Sequence, residues 1–239
     1  MKRRKGPSIS SGELPSMKHK AVIETPWDSR ALGIATFEIE SLSEEVLKEI
    51  TMRPGHFTVK IHPLAPKKIL QDYGFYYCDT LIEPYCALEK FIPSESQEVH
   101  ISRSAAVEGL VALLRHAFIF GRFHRDFNID EEHAELRYVM WLKDLYNSGN
   151  VFSLMYHDEL AGFFGYSANK IVLHALSEKY RGRGLAKYLW SAACKELFSF
   201  GHREIMSSIS AANVAVLNLY ASLGFRFRDP LDVYHLFNK

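Results

Sequence analysis

The pattern of hydrophobic and polar positions along this chain predicts helices and strands in alternation. Apolar residues with helical spacing predict a helix over 104–118, which Ser104 is placed to cap. A second helix is predicted over 131–146, followed by an NSGN stop. The other predicted elements are strands at 57–61, 151–156, 160–166, 171–176, 204–208, 225–228 and 233–237, and helices at 66–71, 184–200 and 212–223. This order predicts an α/β (α+β) fold.

Changes in composition divide the chain into four predicted parts. Residues 1–16 are charged and poor in large apolar groups, so we expect a disordered tail. Residues 17–92 are expected to form a smaller N-terminal α/β domain, because their order of strand, helix, Gly-Phe and strand repeats the order at 205–233. The polar PSESQE sequence at 93–98 is the predicted linker, and 99–239 the predicted main domain.

Composition limits the classes of partner. The net charge of the 239 residues is +1, so no strong overall field favours nucleic acid or an anionic membrane. No apolar run approaches the roughly 20 residues of a membrane helix, and no apolar segment follows MKRRKG as in a secretory signal. Three cysteines without metal-ligand spacing predict no disulfide framework and no metal site. We therefore expect a cytoplasmic protein, and neither nucleic acid nor a membrane as its partner.

A glycine-rich turn follows the strand at 171–176. In the sequence SEKYRGRGLA it joins that strand to the next helix, where main-chain N–H groups and the helix dipole favour an anion. Gly182 and Gly184 would let the backbone approach a phosphate closely, and Arg181 and Arg183 add positive charge. The loop matches neither a nucleotide P-loop nor a dinucleotide fingerprint. A tight turn without a ligand is the alternative.

Two motifs resemble those of the GNAT superfamily of acyl-CoA-dependent N-acyltransferases. Arg181, Gly184 and Ala186 fit its pyrophosphate loop, R/Q-x-x-G-x-G/A, and NVAVLNLYASLGF at 213–225 resembles its later motif, with Val216 where alanine is usual. The resemblance implies a GNAT fold with a mixed central sheet, a partial GNAT-like unit before it, and acetyl-CoA as cosubstrate. The implied cofactor-binding residues are Leu176, Arg181, Gly182, Arg183, Gly184, Leu185, Ala186 and Asn213, with a main-chain oxyanion donor expected near Leu176.

Acyl transfer to an amine needs a proton donor for the thiolate and a neutral amine. The resemblance implies that Tyr220 is the acid, and the alternative is that this tyrosine only packs against the sheet. Asn213 is expected to contact the cofactor, to cap its helix, or both. The candidate bases are His174, His124, His235 and Glu178, and ordered water could replace them all.

The region before the second helix indicates a narrower substrate class. RFHRDFNI at 122–129, PWDSRALGI at 26–34 and DVYHLF at 232–237 resemble a subgroup that acetylates nucleotide-linked amino sugars, the dTDP-fucosamine acetyltransferases. This resemblance implies a role in surface polysaccharide synthesis and a homodimer. The expected substrate contacts are Arg122, His124, Asp126 and His174. Two alternatives stay open: acetylation of another amine, and a non-catalytic acyl-CoA-binding module.

Overall fold

The computed structural model describes residues 21–115 and 117–239, so the expected tail at 1–16 lies outside the described residues. The helices are α1 (Pro26–Leu32), α2 (Glu44–Thr51), α3 (Lys68–Asp72), α4 (Val107–Ala112), α5 (Glu131–Asn147), α6 (Ala186–Ser199) and α7 (Val214–Ser222). The strands are β1 (Val22–Glu24), β2 (Thr36–Ile39), β3 (Gly55–Ile61), β4 (Tyr76–Ala87), β5 (Val99–Ser102), β6 (Val151–Tyr156), β7 (Glu159–Ser167), β8 (Lys170–Leu176), β9 (Glu204–Ser207), β10 (Ile209–Ser210) and β11 (Arg226–Asn238).

All these strands belong to one mixed sheet, which confirms the predicted α/β fold. Its order is β1-β2-β3-β11-β4-β9-β8-β7-β6-β5, with β10 paired to β4. The pairs β2/β3 and β8/β9 are parallel, and the other pairs are antiparallel. The two halves of the chain therefore share a sheet. The division at 93–98 into two domains stays a prediction.

The last strand joins the halves. β11 pairs with β3 on one edge and with β4 on the other, so a C-terminal strand lies between two strands of the N-terminal half. The sequence predicted two strands, at 225–228 and 233–237. The structure instead has one strand, because a register shift between Arg228 and Leu231 accommodates Asp229, whose φ is 49°, and the proline after it. A bulge lets pairing continue past a proline that the sequence pattern treats as a stop.

Two helices show where local signals succeed and fail. α5 begins at Glu131 as predicted and is followed by Gly149 in the left-handed region, with φ 71°. α4 is shorter than predicted and has Ala106 at its N-cap, without a side-chain cap. Ser104 is therefore not the cap, and its hydroxyl lies 2.7 Å from that of Ser102. No helix among the described residues is long and apolar enough to span a membrane.

The apolar core includes two large clusters, one mainly in each half of the chain, and a third that packs α4 and α5 against β6, β7 and β8. The C-terminal cluster packs α6 and α7 against the sheet and includes Trp190, Leu197 and Tyr220. The N-terminal cluster packs α2 against β3 and includes Leu47 and Phe57. Because α2 is capped by Ser43, whose hydroxyl accepts from the Val46 amide, its buried face is fixed against the sheet. Tyr234 and Leu236 of β11 belong to the N-terminal cluster, so the two halves share part of their interior.

Candidate active site

Strands β8 and β9 pair at one end and then diverge. Their parallel register covers only Lys170 with Met206 and Ile171 with Ser207. The Ser207 hydroxyl donates to the Ile171 carbonyl at 2.9 Å. Beyond this point β8 continues to Leu176, while the chain after β9 pairs with β4 through β10. The divergence leaves a gap in the sheet along β8.

Main-chain donors of β8 face this gap. The Ser177 amide donates to the Ala161 carbonyl of β7 at 2.8 Å. Because amides alternate sides along a strand, those of Leu176 and His174 point away from β7, toward the gap. Leu176 is therefore placed as the predicted oxyanion or cofactor donor requires, and that role stays a prediction.

The glycine-rich loop lies at the open end of the gap. Gly182 and Gly184 have φ values of 71° and 75°, and a Cβ on either would meet no atom within 4 Å. In this chain the glycines are therefore needed for backbone conformation rather than for space. Arg181 folds back over β8, where its Nε donates to the Leu176 carbonyl at 2.9 Å.

The neighbours of the loop add one helix terminus and one acidic group. α6 starts at Ala186 directly after the loop, so its first amides face the same region. Arg183 donates to the Lys179 carbonyl at 3.4 Å, and Leu185 occupies the N-cap position. Glu178, a candidate base, forms an ion pair with Arg181 at 3.7 Å. The loop has the predicted geometry, and phosphate binding stays a prediction.

Helix α7 brings the second motif to the gap. The Asn213 side chain accepts from the Val216 amide at 3.3 Å, which confirms its capping role. Asn213 and Val216 also line the cavity beside the gap. Tyr220 is fully buried and does not line that cavity; its hydroxyl lies 3.2 Å from His174 Nε2. Burial raises the pKa of Tyr220, so its phenol stays protonated at neutral pH.

His174 is the candidate histidine that the structure brings to the gap. It lies on β8, lines the cavity, and packs edge-on against Trp190. Burial lowers the pKa of His174 to about 4, so the imidazole is neutral at pH 7. Its Nε2 can then accept the Tyr220 hydrogen bond. The hydrogen bond between Tyr220 and His174 therefore links the buried side of α7 to the wall of the cavity.

The cavity has a volume of about 900 Å³ and extends from the loop into the N-terminal half. At the loop end, Arg181, Gly182 and Ala186 line it. At the far end, the N-terminal half contributes Trp27, Asp28, Arg30, Glu38, Lys60, Asp79 and Leu81. Beside them lie Arg122, Arg137, Trp141, Asp144 and Lys170 of the C-terminal half. We call these the cofactor end and the acceptor end. The N-terminal half therefore forms part of the wall of this cavity.

Of the predicted substrate residues, Arg122 lies at the acceptor end and His124 does not. Arg122 Nη2 is 4.0 Å from the Asp28 carboxylate, which Arg137 Nε also contacts at 2.5 Å. Burial lowers the pKa of Arg122, and a guanidinium remains charged in proteins. His124 lines a separate cavity of about 410 Å³ between α4 and α5, stacked on Tyr138.

Asp126 and His235 belong to a buried network outside the large cavity, which corrects both expectations. Asp126 Oδ2 bonds His56 Nε2 at 2.9 Å and His235 Nδ1 at 2.7 Å, and its Oδ1 accepts from Tyr76 at 2.9 Å. Burial raises the pKa of Asp126, but the hydrogen bonds from His235 and His56 oppose burial and hold that pKa below its usual value. The three ligand atoms of His56, Asp126 and His235 lie within 4.8 Å of one another, a spacing that hydrogen bonds explain without a metal.

Sequence reasoning missed Asp79, a buried acid at the acceptor end. It lies in β4, and only the folded sheet brings β4 beside β9 and β10. One signal was present: Asp79 is the only charged residue in the FYYCDTLI run at 75–82. A charge within an apolar strand is costly unless it is paired or functional.

Comparisons with known proteins agree with this architecture. Residues 116–225 match the model of the acetyltransferase (GNAT) family. A GCN5-related N-acetyltransferase from Sphaerobacter thermophilus is similar in structure, with 12% identity, a TM-score of 0.62, and coverage of 90% of this chain and 76% of that chain. A tandem GNAT protein from the clavulanic acid biosynthesis pathway has 12% identity, a TM-score of 0.55, and coverage of 84% and 75%.

A third similar structure contains a sugar-modifying region. It is the GCN5-related glucosamine N-acetyltransferase region of a fungal multi-domain GH3 β-N-acetylglucosaminidase, with 10% identity, a TM-score of 0.56, and coverage of 85% of this chain and 30% of that chain. A search of curated proteins finds no match. At these identities the structural likeness shows the GNAT fold. The family match at 116–225 includes the glycine-rich loop and the whole of the second motif at 213–225.

Proposed function

We propose that this protein transfers the acetyl group of acetyl-CoA directly to the amine of a nucleotide-linked amino sugar, in the cytoplasm, for surface polysaccharide synthesis. The observation that carries the transfer reaction is the gap along β8, which joins the glycine-rich loop to a cavity of about 900 Å³. An extended acyl-CoA arm needs such a slot with main-chain donors on one wall. A separate acceptor needs the space beyond it.

The cofactor end suits both the pyrophosphate and the extended arm of acyl-CoA. The amides of 181–186 and the start of α6 would hold the pyrophosphate, where the helix dipole favours negative charge. The arm would then run along β8, in reach of the Leu176 and His174 amides. This direction brings the thioester toward Ile171, where the strands diverge and the acceptor end begins.

Direct transfer forms a C–N bond at the thioester carbonyl and breaks its C–S bond. The amine loses a proton and the departing thiolate gains one. A β8 amide would stabilise the oxygen on which negative charge develops. Tyr220 remains our proposed proton donor, acting through His174: its buried phenol is protonated and contacts His174, and it is the His174 imidazole that lines the cavity.

Cationic and aromatic groups at the acceptor end support a nucleotide sugar. Arg122 and Lys170 could bind diphosphate oxygens, and Trp27 and Trp141 offer faces on which a base or sugar can stack. The fungal structural neighbour is described as a glucosamine N-acetyltransferase region, which adds support from the same fold. The RFHRD stretch itself contributes less than expected, since of its charged groups only Arg122 lines the cavity.

A second candidate is a small cationic amine without a diphosphate. Four carboxylates line the acceptor end, those of Asp28, Glu38, Asp79 and Asp144. All four are ion-paired, and together they nearly balance the cations there. A site with this balance would hold an ammonium group as readily as a phosphate.

The test is release of free CoA thiol from acetyl-CoA with three acceptor panels: dTDP- and UDP-linked amino sugars, lysine or N-terminal peptides, and simple amines. Reactions without an acceptor measure background hydrolysis. Turnover confined to nucleotide sugars is the expected result. Turnover on simple amines or peptides would instead favour the second candidate or another GNAT substrate. Acetyl-CoA binding without turnover on any panel would contradict the proposal and favour a non-catalytic binding module.

A further inference from the structure

Asp79 has one carboxylate oxygen committed to the fold and one that is not. Oδ1 accepts from the Thr80 amide at 2.8 Å, the Ser210 hydroxyl at 2.8 Å and Arg125 Nη1 at 2.7 Å. Oδ2 is buried and has no hydrogen-bond partner among the described residues. The residue is 1% exposed, and buried carboxylate oxygens are almost always bonded. This arrangement holds the carboxylate rigidly and leaves one oxygen for another donor.

The open oxygen is on a residue that lines the acceptor end of the cavity. Asp79 lines that cavity, and its partner Ser210 lies on β10, the segment that bounds the gap opposite β8. Arg122 lines the same end and also has a buried Nε without a partner among the described residues. Two residues that line this end of the cavity therefore each have one buried polar atom without a partner among the described residues, an acceptor on Asp79 and a donor on Arg122.

We propose that Asp79 Oδ2 binds the ammonium group of the acceptor and takes its first proton. The inference rests on the proposed acetyl transfer. With the proton on Asp79, the nitrogen lone pair forms the C–N bond to the thioester carbonyl carbon. The C–S bond then breaks, and the second nitrogen proton is matched by the proton that the CoA thiolate gains. Asp79 returns its proton to solvent. The overall change is ammonium plus acetyl-CoA giving amide, CoA thiol and one proton.

The electrostatics of the residue agree with this role. Burial raises the pKa of Asp79, which makes the carboxylate a stronger base than an exposed aspartate. The hydrogen bond from Ser210 and the charges of Arg125 and Arg122 oppose that rise. The N-terminal half would thus supply the base for a reaction whose cofactor is held by the C-terminal half.

The test compares Asp79→Asn with Glu83→Gln. The Asp79→Asn side chain keeps an oxygen for the three Oδ1 donors but cannot take a proton at the Oδ2 position. Glu83 lies on the same strand, bonds Arg228 at 2.8 Å, and does not line the cavity. With the acceptor that the wild type turns over, we expect Asp79→Asn to lower kcat about 100-fold with unchanged acetyl-CoA affinity. Glu83→Gln should match the wild type in both.

Three results would separate the claims. Wild-type kcat in an Asp79→Asn protein that binds acetyl-CoA normally would overturn the inference and leave acetyl transfer standing. If that variant fails to bind acetyl-CoA, Asp79→Glu replaces it, with an expected loss of about tenfold in kcat; a kcat equal to the wild type's would again overturn the role of Asp79. Absence of wild-type turnover on every acceptor panel would overturn the proposed function and, with it, this inference.

Discussion

The two ends of the cavity are built in different ways. The cofactor end comes mainly from consecutive residues, in β8, the glycine-rich loop and the start of α6. The acceptor end combines side chains that lie far apart in the sequence, among them Trp27, Asp79 and Arg122. Binding of a ligand by main-chain amides requires particular backbone conformations, so glycines appear in the sequence at a recognisable spacing. Side-chain recognition requires only that the fold bring the right groups together, and it leaves no local pattern.

The largest effect should follow from Tyr220→Phe. Losing the phenol removes the proposed proton donor, so kcat should fall about 100-fold while acetyl-CoA affinity is kept. Steady-state kinetics and calorimetry with acetyl-CoA would measure both. Tyr166→Phe is the matched control, because Tyr166 is also buried and its hydroxyl bonds the Gly149 carbonyl at 3.3 Å, outside the cavity. Equal kcat in the two variants would show that Tyr220 only packs.

An effect of about tenfold is expected from Gly184→Ala on acetyl-CoA affinity. The left-handed φ of Gly184 strains an alanine by about 1–2 kcal/mol, which would displace the amides of the loop. Gly201→Ala at the other end of α6 is the control, since its φ of 92° is also positive and no atom lies within 4 Å of an added Cβ. Calorimetry should find weaker binding only in the first variant. Equal affinity in both would remove the loop from the cofactor site.

The acceptor end should respond to Trp27→Ala with a several-fold effect. Trp27 is 55% exposed and lines that end, so its loss should raise KM for the acceptor by about fivefold through lost stacking. KM for acetyl-CoA should not change. Phe127→Ala is the control, because Phe127 is an exposed aromatic residue outside the cavity. A rise in KM for acetyl-CoA instead would break the division of the cavity into two ends.

The last prediction concerns the buried hydrogen bonds of Asp126 with His56 and His235, which join the two halves of the chain. Their effect on the stability of the protein should be the smallest of the four at neutral pH and should grow in acid. Burial lowers the pKa of His235 to about 3, below the value near 6.5 of an unfolded histidine. The unfolded chain therefore binds the proton first, so stability should fall as pH drops from about 6.5 toward 3. Urea unfolding across this range should show a falling midpoint, and a flatter one in His235→Gln. Parallel pH dependence in both proteins would contradict this assignment.

The same contrast explains what the sequence could predict. Periodicity and glycine spacing identified α5, the β6–β7 hairpin, the loop and the Asn213 cap, because each depends on neighbours in the chain. The prediction of two strands at 225–228 and 233–237 was wrong, because the pairing of β11 with β3 and β4 continues on both sides of the bulge. His124 and Asp126 stand within five residues of Arg122, yet the loop turns all three in different directions. In the sequence Asp79 is marked only as a single charge in an apolar run, and its position at the cavity depends on the pairing of β4 with β9 and β10.

Hydrogen–deuterium exchange with and without acetyl-CoA tests the central claim most directly, because it needs no knowledge of the acceptor. The account predicts slower exchange at 172–187 and 207–216, which border the gap and the loop. It also predicts unchanged exchange in α1 and β2 at the acceptor end. Slower exchange in α1 and β2, with no change at 172–187, would contradict a cofactor site held by the C-terminal half.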